Sequence, residues 1–478
     1  MWQPVLMISG YILGILGLIM LIPAGLDMFG QGVDWSPFLS SAMIVIFFGF
    51  ALFLSNYTKI ENITLKQGYL ITAVSWISVC LFSAIPFWFH HSVDTRIDAV
   101  FEAVSGITGT GATIMSDVES LPHSILFWRS LLNYIGGLGI VIFAVALLPF
   151  LGIGGMQIFQ HENSDSNDKF MPKFSYIAKR IVVVYLVLTA ISAGTLFLCG
   201  MNGFDAVNHA MSAIGTGGFS TKNNSIGFYN SVPIEFFTML FMLLGALPMT
   251  FYILLYRRSN PDRNKQVRVF LKMVAAYALC LGGYLYFSSD YSLWYVIRYS
   301  LFTVIAVVTT TGLSSCDYTE WGVWVAAAIL FLSLTGGCTG STAGSIKIFR
   351  WQVIYAFLRK YLLSAIEPNR VILMKIGAVN MPEKATMSVF VYVFSFIISL
   401  IGMTLLVSAC GLDLRTALSA VTACITNVGV GAISAIGPSG NYAFFSDTVK
   451  SILCFTMLLG RLEIITILVV FTKSFWHK

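Results

Sequence analysis

The chain has 478 residues, of which 57% are hydrophobic and 10% are charged. A soluble globular protein needs a larger charged surface, so this composition excludes that class and indicates an integral membrane protein in a lipid bilayer. The net charge of +6 does not indicate a nucleic acid partner, because the Lys and Arg residues are scattered through loops and form no basic patch.

The first 60 residues predict two spanning helices, near residues 5–26 and 39–54. No basic leader and no small-residue cleavage site accompany the first helix, so we expect it to be retained. The turn between the two helices contains Asp27 and Asp34 but no Lys or Arg, which places it outside the cell. We therefore expect a cytoplasmic N-terminus, and we assign the C-terminus to the same side.

Basic residues concentrate in three of the later polar loops. The positive-inside rule assigns these loops to the cytoplasm. They contain Lys59 and Lys66; Lys169, Lys173, Lys179 and Arg180; and Arg257, Arg258, Arg263, Lys265, Arg268 and Lys272.

One 14-residue string occurs four times in apolar surroundings, and each copy ends in glycine. The copies are Asp98–Gly111 (DAVFEAVSGITGTG), Asp205–Gly218 (DAVNHAMSAIGTGG), Tyr299–Gly312 (YSLFTVIAVVTTTG) and Thr416–Gly429 (TALSAVTACITNVG). The first two agree closely, and the other two are looser. From about residue 68, a predicted spanning helix precedes each copy and another follows it, with a period of about 100 residues.

This period divides the chain into five parts. They are residues 1–60 (two N-terminal helices), 61–160 (repeat 1), 161–260 (repeat 2), 261–370 (repeat 3) and 371–478 (repeat 4). A 14-residue segment is too short to cross a membrane, so each copy must enter and return, which requires buried or water-lined backbone. The predicted fold is an all-α membrane protein with four pseudo-symmetric helix–pore loop–helix repeats around one central pore, preceded by two extra transmembrane helices.

The end of each copy offers backbone oxygens and little side-chain chemistry. The first ten or so residues suit a helix, and Asp98 and Asp205 are expected to cap two of these helices. The C-terminal end of such a helix favours a cation. Glycine-rich strands at 108–111, 215–218, 309–312 and 426–429 can direct carbonyls at a desolvated monovalent cation. The candidate filter residues are Thr110, Gly111, Gly217, Gly218, Thr311, Gly312, Val428 and Gly429. One copy alone would suggest an ordinary turn, but four aligned copies favour a filter.

A second unusual stretch, Leu334–Lys347 (LTGGCTGSTAGSIK), interrupts the helical run at 320–358. A phosphate-binding loop is excluded, because Gly-Lys-Ser/Thr is absent and no strand precedes it. We predict an intramembrane loop at 336–345 that obstructs permeation below the third filter segment, with a simple packing kink as the alternative. The candidate gating residues are Gly336, Gly337, Gly340, Gly344, Lys347 and Arg461.

Arg461 and Glu463 lie inside the last predicted spanning helix, where charge is costly and usually functional. They do not share a helix face, so a mutual ion pair is not assured. Arg461 either raises a barrier below the filter or forms a structural ion pair. Arg129 and Asn133, near Gly136, are predicted to support close helix packing, and His209 is interpreted as structural.

Several motifs, taken in order, resemble one known family over nearly the whole chain. They are TGTGAT at 108–113, IGGLGI and LPFLGIGGMQ within 134–157, GGFST at 217–221, TTTG at 309–312, GGCTGSTAGSIK at 336–347, NVGVG at 427–431 and GRLEI at 460–464. Together they resemble the potassium uptake proteins of the Trk/Ktr/HKT superfamily, most closely the bacterial TrkH/TrkG subunits.

The resemblance implies potassium uptake across the cell inner membrane through a gated, channel-like pore that also passes rubidium. It implies potassium ligands at Thr110, Gly111, Gly218, Thr311, Gly312 and Gly429. It also implies a homodimer and a cytosolic TrkA-like regulatory subunit that binds nucleotides. The chain itself has no nucleotide motif and no expected cofactor, so NAD or ATP would act only through that partner. Gly111 favours potassium, because plant members with serine at this position transport sodium.

A proton- or sodium-coupled symporter with the same pore is the alternative. Such coupling usually needs carboxylates at membrane depth, and apart from Glu102 and Glu463 few candidates exist. An enzyme is not expected, because no nucleophile–base set, paired carboxylates or metal cluster gathers in one loop.

Overall fold

The computed structural model describes residues 1–30, 34–58, 64–146, 170–256, 265–369, 373–376 and 379–476. Within these ranges the chain is mainly helical, and its strands form only one short hairpin, which confirms the predicted all-α class. Of the basic residues assigned to cytoplasmic loops, Lys59, Lys169, Arg257, Arg258 and Arg263 lie outside the described residues.

The described part of the chain contains the following α-helices, in chain order. They are α1 (Trp2–Phe29), α2 (Ser36–Ser55), α3 (Leu65–Ser83), α4 (Ile85–Phe89), α5 (Arg96–Thr108), α6 (His123–Ala146), α7 (Phe170–Leu198), α8 (Gly203–Gly215), α9 (Val232–Gly245), α10 (Met249–Tyr256), α11 (Lys265–Ser288), α12 (Leu293–Val308), α13 (Val323–Ser333), α14 (Ile348–Ile366), α15 (Glu383–Ala409), α16 (Leu414–Ile425), α17 (Asp447–Arg461), α18 (Ile464–Val470) and α19 (Lys473–Trp476). A small antiparallel hairpin pairs β1 (Lys375–Ile376) with β2 (Val379–Asn380), and Lys375 lies opposite Asn380.

Seven helical segments in the described ranges are long and apolar enough to cross a membrane. They are α1, α2, α3 with α4, α6, α7, α11 and α15. Two bent pairs would raise the number to nine: α9 with α10, bent by 91°, and α17 with α18, bent by 111°. Large apolar side chains such as Phe47, Phe197 and Phe394 are exposed on these helices, as expected of surfaces that face lipid.

The helical run predicted at 320–358 is divided. The helix α13 ends at Ser333 and α14 begins at Ile348, with the glycine-rich stretch between them in irregular structure. A parallel bridge pairs Thr335 with Ile346 and brings the two ends of that stretch together. The break predicted from the composition of this stretch is therefore present, and it takes the form of a closed loop.

Each of the four repeated segments contains a helix that is shorter than a membrane span: α5, α8, α12 and α16, with 13, 13, 16 and 12 residues. Each begins with a side chain that accepts a hydrogen bond from a backbone N–H in the first turn, because those groups have no partner within the helix. The capping residues are Thr95, Asn202, Ser292 and Asp413. This corrects the prediction that Asp98 and Asp205 are the caps.

Asp98 and Asp205 instead lie within the first turn of α5 and α8. The Asp98 carboxylate accepts a hydrogen bond from the Thr95 backbone N–H at 3.2 Å, which completes a reciprocal capping box. Asp205 accepts hydrogen bonds from Thr221 at 2.6 Å and from Tyr229 at 2.7 Å. Both helices therefore start three residues before the predicted cap, where Thr95 and Asn202 supply the side-chain acceptors.

Glycines let the longer helices approach the C-terminal ends of the short ones. A Cβ on Gly136 of α6 would overlap the carbonyl oxygen of Ile107, and one on Gly460 of α17 would overlap that of Ile425. On Gly245 of α9 it would lie 2.7 Å from the carbonyl oxygen of Ile214. Three long helices therefore contact the ends of α5, α8 and α16 in the same way.

Buried ion pairs join the short helices to the longer ones. Lys450 of α17 contacts Asp98 of α5 at 2.6 Å, although 352 residues separate them in the chain. Arg298 of α12 contacts Glu235 of α9, also at 2.6 Å. Because removing one partner leaves an uncompensated buried charge, each pair fixes the relative position of two helices.

We predict that Gly136→Ala lowers thermal stability. The new Cβ would overlap the backbone of Ile107, and overpacking of this kind typically costs about 1–3 kcal/mol. Thermal midpoints in detergent, followed by size-exclusion chromatography, would measure the loss. Gly194→Ala on α7 is the matched control, because nothing lies within 4 Å of the added methyl group. Equal midpoints for Gly136→Ala and the wild type would contradict the close contact.

Candidate functional site

The four glycine-ended segments share one backbone conformation. The residue two positions before the final glycine is left-handed in every copy: Gly109 (φ 62°), Thr216 (φ 50°), Thr310 (φ 55°) and Asn427 (φ 56°). The final glycine again has a positive φ: 76° at Gly111, 84° at Gly218, 73° at Gly312 and 78° at Gly429. Three residues other than glycine thus adopt a conformation that is uncommon for them. The copies are equivalent in structure even where their sequences differ.

The final glycines also show that the four segments form a closed ring. A Cβ on Gly111 would overlap the carbonyl oxygen of Gly217 in the second segment. The same overlap joins Gly218 to Thr311, Gly312 to Val428, and Gly429 to Thr110 of the first segment. Each segment therefore lies against the next in cyclic order, and the fourth returns to the first. The structure brings all eight candidate filter residues together in this ring.

Threonine hydroxyls next to the ring form hydrogen bonds with one another and with the ends of the short helices. The Thr108 hydroxyl donates to the carbonyl oxygen of Val104 at 2.7 Å and lies 2.7 Å from the Thr110 hydroxyl. Thr309 and Thr311 repeat this arrangement in the third segment, with their hydroxyls 2.8 Å apart. These hydroxyls are occupied by one another and by the helix ends. The backbone carbonyls are therefore the main groups that the ring offers to a cation.

Beyond the ring, side chains of α5 and α8 hold the residues that follow the first two segments. Glu102 of α5 accepts hydrogen bonds from the Thr113 hydroxyl at 3.0 Å and from the Ile114 N–H at 3.1 Å. His209 of α8 lies 2.9 Å from the Ser220 hydroxyl. Glu102 and His209 occupy the same position in the aligned copies, which is the sequence signal that could have identified both as supporting residues.

The loops beyond the first two segments contact each other through Asn223. Its side-chain oxygen accepts from the Val118 N–H at 2.7 Å, and its side-chain amide donates to Asp117 at 2.9 Å. The hydrogen bond from Asn223 lowers the pKa of the Asp117 carboxyl, which therefore remains charged near neutral pH. A negative charge at this rim favours the approach of cations.

The glycine-rich loop at 336–345 lies against the other side of the ring. Gly344 N–H donates to the Thr310 hydroxyl at 2.6 Å, and Thr342 donates to the carbonyl oxygen of Ile214 at 3.0 Å. A Cβ on Gly344 would lie 2.7 Å from the carbonyl oxygen of Thr426. The loop therefore contacts the second, third and fourth segments directly.

Arg461 connects this loop to the first repeat. It is the last residue of α17, just before the 111° bend, and it is only 3% exposed. Its guanidinium donates to the carbonyl oxygen of Thr342 at 2.9 Å and to that of Gly136 at 3.3 Å. One of its nitrogens lies 3.4 Å from the position of a Cβ on Gly109. The charge therefore lies next to the ring.

Lys347 and Glu463 complete the charged groups near the loop. The Lys347 ammonium donates to the carbonyl oxygen of Ala343, so it holds the end of the loop. Glu463 pairs with Arg350 of α14 and not with Arg461, and Arg350 also lies 3.6 Å from the ring centre of Tyr392. Glu463 has a positive φ of 56°, which places backbone strain at the bend between α17 and α18. The sequence left open whether Glu463 pairs with Arg461. Its partner is instead Arg350, which lies in another repeat.

A small cavity of about 30 Å³ lies beneath the loop. Its lining includes four of the six candidate gating residues: Gly340, Gly344, Lys347 and Arg461. The other two, Gly336 and Gly337, pack inside the loop, where a Cβ on Gly336 would overlap the carbonyl oxygen of Gly344.

Within the described ranges, no three His, Cys, Asp or Glu side chains gather in a way that could hold a metal ion.

Comparison with known proteins gives consistent matches along the chain. The family described as "TrkH: Cation transport protein" matches residues 36–478. The chain is 35% identical over 480 residues to the Trk system potassium uptake protein TrkI of Halomonas elongata, covering 100% of this chain and 97% of that one. It is 32% identical to TrkG of Escherichia coli, with 98% and 97% covered. The crystal structure of the potassium transporter TrkH from Vibrio parahaemolyticus superposes with a TM-score of 0.92, at 29% identity and with both chains fully covered.

Proposed function

The chain belongs to the TrkH family of cation transport proteins, and from that premise we propose that it takes up potassium through a gated, potassium-selective pore in the cell inner membrane. The family is one of transporters, so the chain is a multi-pass membrane transport protein and not an enzyme. Relatives that match nearly the full chain are named as Trk system potassium uptake proteins, which supports potassium as the substrate.

The observation that carries the proposal is the closed ring of glycine–carbonyl contacts. A desolvated potassium ion needs several oxygen ligands to replace its hydration shell, and a ring of carbonyls from four segments can supply them. The ring glycines Gly111, Gly218, Gly312 and Gly429 permit this, because any Cβ would overlap the neighbouring segment. Rubidium is expected to pass as well, since the carbonyls impose no chemistry that distinguishes it from potassium except size.

The loop at 336–345, with Lys347 and Arg461, is proposed as the gate. It lies directly against the ring, with a small cavity beneath it. Opening would require the loop to leave the ends of the short helices. The four-repeat domain division, the cytoplasmic termini, the homodimer and the TrkA-like regulatory subunit that binds NAD or ATP are further parts of the proposal, and the family assignment supports them.

We expect purified protein in liposomes to take up radioactive rubidium when an inside-negative potential is imposed. That potential supplies about 2.3 kcal/mol per charge per 100 mV, so no second ion is needed. Excess potassium should suppress the uptake, and sodium should suppress it much less. Uptake that requires an imposed proton or sodium gradient would instead support the symport alternative. The measurement is repeated with and without the nucleotide-binding partner.

Gly312→Ser should weaken discrimination between potassium and sodium. The added Cβ would overlap the carbonyl oxygen of Val428, so the ring must distort. Gly322→Ser is a matched control, because Gly322 also has a positive φ (98°) but has nothing within 4 Å of the new atom. The ratio of sodium to rubidium flux in liposomes should rise for Gly312→Ser alone. An unchanged ratio would mean that Gly312 does not line the filter.

Arg461→Ala should speed inward permeation. The guanidinium places a positive charge beside the ring, and two unit charges about 8 Å apart repel by roughly 2 kcal/mol at an effective dielectric constant of about 20. Removing it should raise initial rubidium uptake by about thirtyfold. Arg461→Lys keeps the charge and should remain slow. If both variants transport at the wild-type rate, Arg461 has only a structural role.

A further inference from the structure

One buried ion pair lies at the junction between the first and second ring segments. Glu102 is fully buried and its carboxylate contacts Arg129 of α6 at 2.7 Å. The same carboxylate accepts hydrogen bonds from the Thr113 hydroxyl and the Ile114 N–H, which follow the ring glycine Gly111 closely. Three donors, the Thr113 hydroxyl, the Ile114 N–H and the Arg129 guanidinium, therefore surround a carboxylate that has no access to solvent, which fixes its position strongly.

Arg129 extends this contact to the second segment. Its guanidinium donates to the Thr113 hydroxyl at 3.0 Å and to the carbonyl oxygen of Ser220 at 3.1 Å. It also lies over the ring of Phe219, 4.2 Å from its centre. Thr113 and Ser220 each follow their ring glycine by two residues. One side chain therefore ties equivalent points of two neighbouring strands together.

The other three junctions are joined by neutral hydrogen bonds. Ser314 N–H donates to the Ser225 hydroxyl at 3.2 Å between the second and third segments. The Tyr318 hydroxyl donates to the carbonyl oxygen of Gly431 at 3.0 Å between the third and fourth. Tyr442 N–H donates to the carbonyl oxygen of Thr113 at 2.8 Å, between the fourth segment and the first. Among these contacts, which join the segments just beyond the ring glycines, the one from Arg129 has a charged donor and is the stronger kind of hydrogen bond. The ion pairs Lys450–Asp98 and Arg298–Glu235 join the surrounding helices instead.

We propose that Glu102 and Arg129 are positioning residues for ion discrimination, because they fix the separation between the Gly111 and Gly218 segments. This inference rests on the proposed function of the ring. Neighbouring carbonyl dipoles repel one another, so the ring needs external ties to keep its shape. A ring that can relax adapts to the smaller sodium ion as readily as to potassium or rubidium. Loosening one junction therefore reduces discrimination before it reduces transport.

The test compares Glu102→Gln with the wild type in liposomes, using the ratio of sodium to rubidium flux. Glutamine has nearly the same shape as glutamate. However, its amide nitrogen must face one of the groups that donate a hydrogen bond to the Glu102 carboxylate. The substitution also leaves Arg129 without a counter-charge. We expect the sodium to rubidium ratio to rise by roughly three- to tenfold, the size expected for the net contribution of one ordinary hydrogen bond. Because the readout is a ratio, it does not depend on the amount of folded protein.

Glu235→Gln is the matched control. It breaks the Glu235–Arg298 pair, which also joins two helices through a buried carboxylate, although the Arg298 side chain is 14% exposed and that of Arg129 only 2%. This pair has no described contact with the segments that follow the ring glycines. The flux ratio should not change in this variant. An equal rise in both variants would show that any buried ion pair has this effect, and would overturn the proposal.

Thr113→Val provides a second variant that keeps both charges. It removes only the hydroxyl that donates to Glu102 and accepts from Arg129, so the protein should still fold. We expect a smaller rise in the flux ratio, in the same direction. If Glu102→Gln does not assemble, an unchanged ratio in Thr113→Val overturns the proposal. If the wild type itself takes up no rubidium selectively, the proposed function fails, whereas a selective wild type with unchanged variants refutes only the positioning role.

Discussion

The absence of a side chain at four positions is the constraint on which the rest of the structure depends. At Gly111, Gly218, Gly312 and Gly429 the backbone has a positive φ, and the space of a Cβ is occupied by the neighbour's carbonyl oxygen. Both conditions independently select glycine. A ring of four strands in such close contact cannot support itself, because its hydrogen-bonding groups face other segments. The capped short helices, their glycine contacts with longer helices and the buried ion pairs hold the strands in place.

A second set of equivalent positions lies in the helices that contact the C-terminal ends of the short helices, and one of these positions holds an arginine. Gly136, Gly245 and Gly460 each contact the carbonyl oxygen of the residue four before a ring glycine. The residues that follow them are Gly137, Ala246 and Arg461. In the third repeat, Gly337 packs against Ala246. Three of these positions therefore hold small residues and one holds an arginine, so the site departs from fourfold symmetry here.

The fold class and the members of the ring could be predicted from sequence because they depend on composition and on a short repeated string. The irregular loop between Ser333 and Ile348 was predictable for the same reason, since glycine and small polar residues disfavour a helix. The ion pairs could not be predicted from sequence in this way. Arg129 and Glu102 are 27 residues apart, and Glu463 meets Arg350 from a distance of 113 residues, with no local pattern to link them. The helix caps were misplaced because Asp98 is a strong cap in isolation, whereas Thr95 forms the reciprocal capping box.

Backbone carbonyl groups are the cation ligands both in the ring and in the loop at 336–345. Under the proposed function, the ring binds a cation through backbone carbonyls, and beneath it the closed loop presents further carbonyls. At the loop, the cationic groups that bind these carbonyls are side chains of the protein itself. Arg461 donates to the carbonyl oxygen of Thr342, and Lys347 donates to that of Ala343. Under the proposed gating role, these side chains satisfy oxygens that a permeating ion would otherwise meet, and they repel that ion at the same time. A loop of glycines and small residues is suited to this state, because its backbone can lie close enough for two cations to bind it.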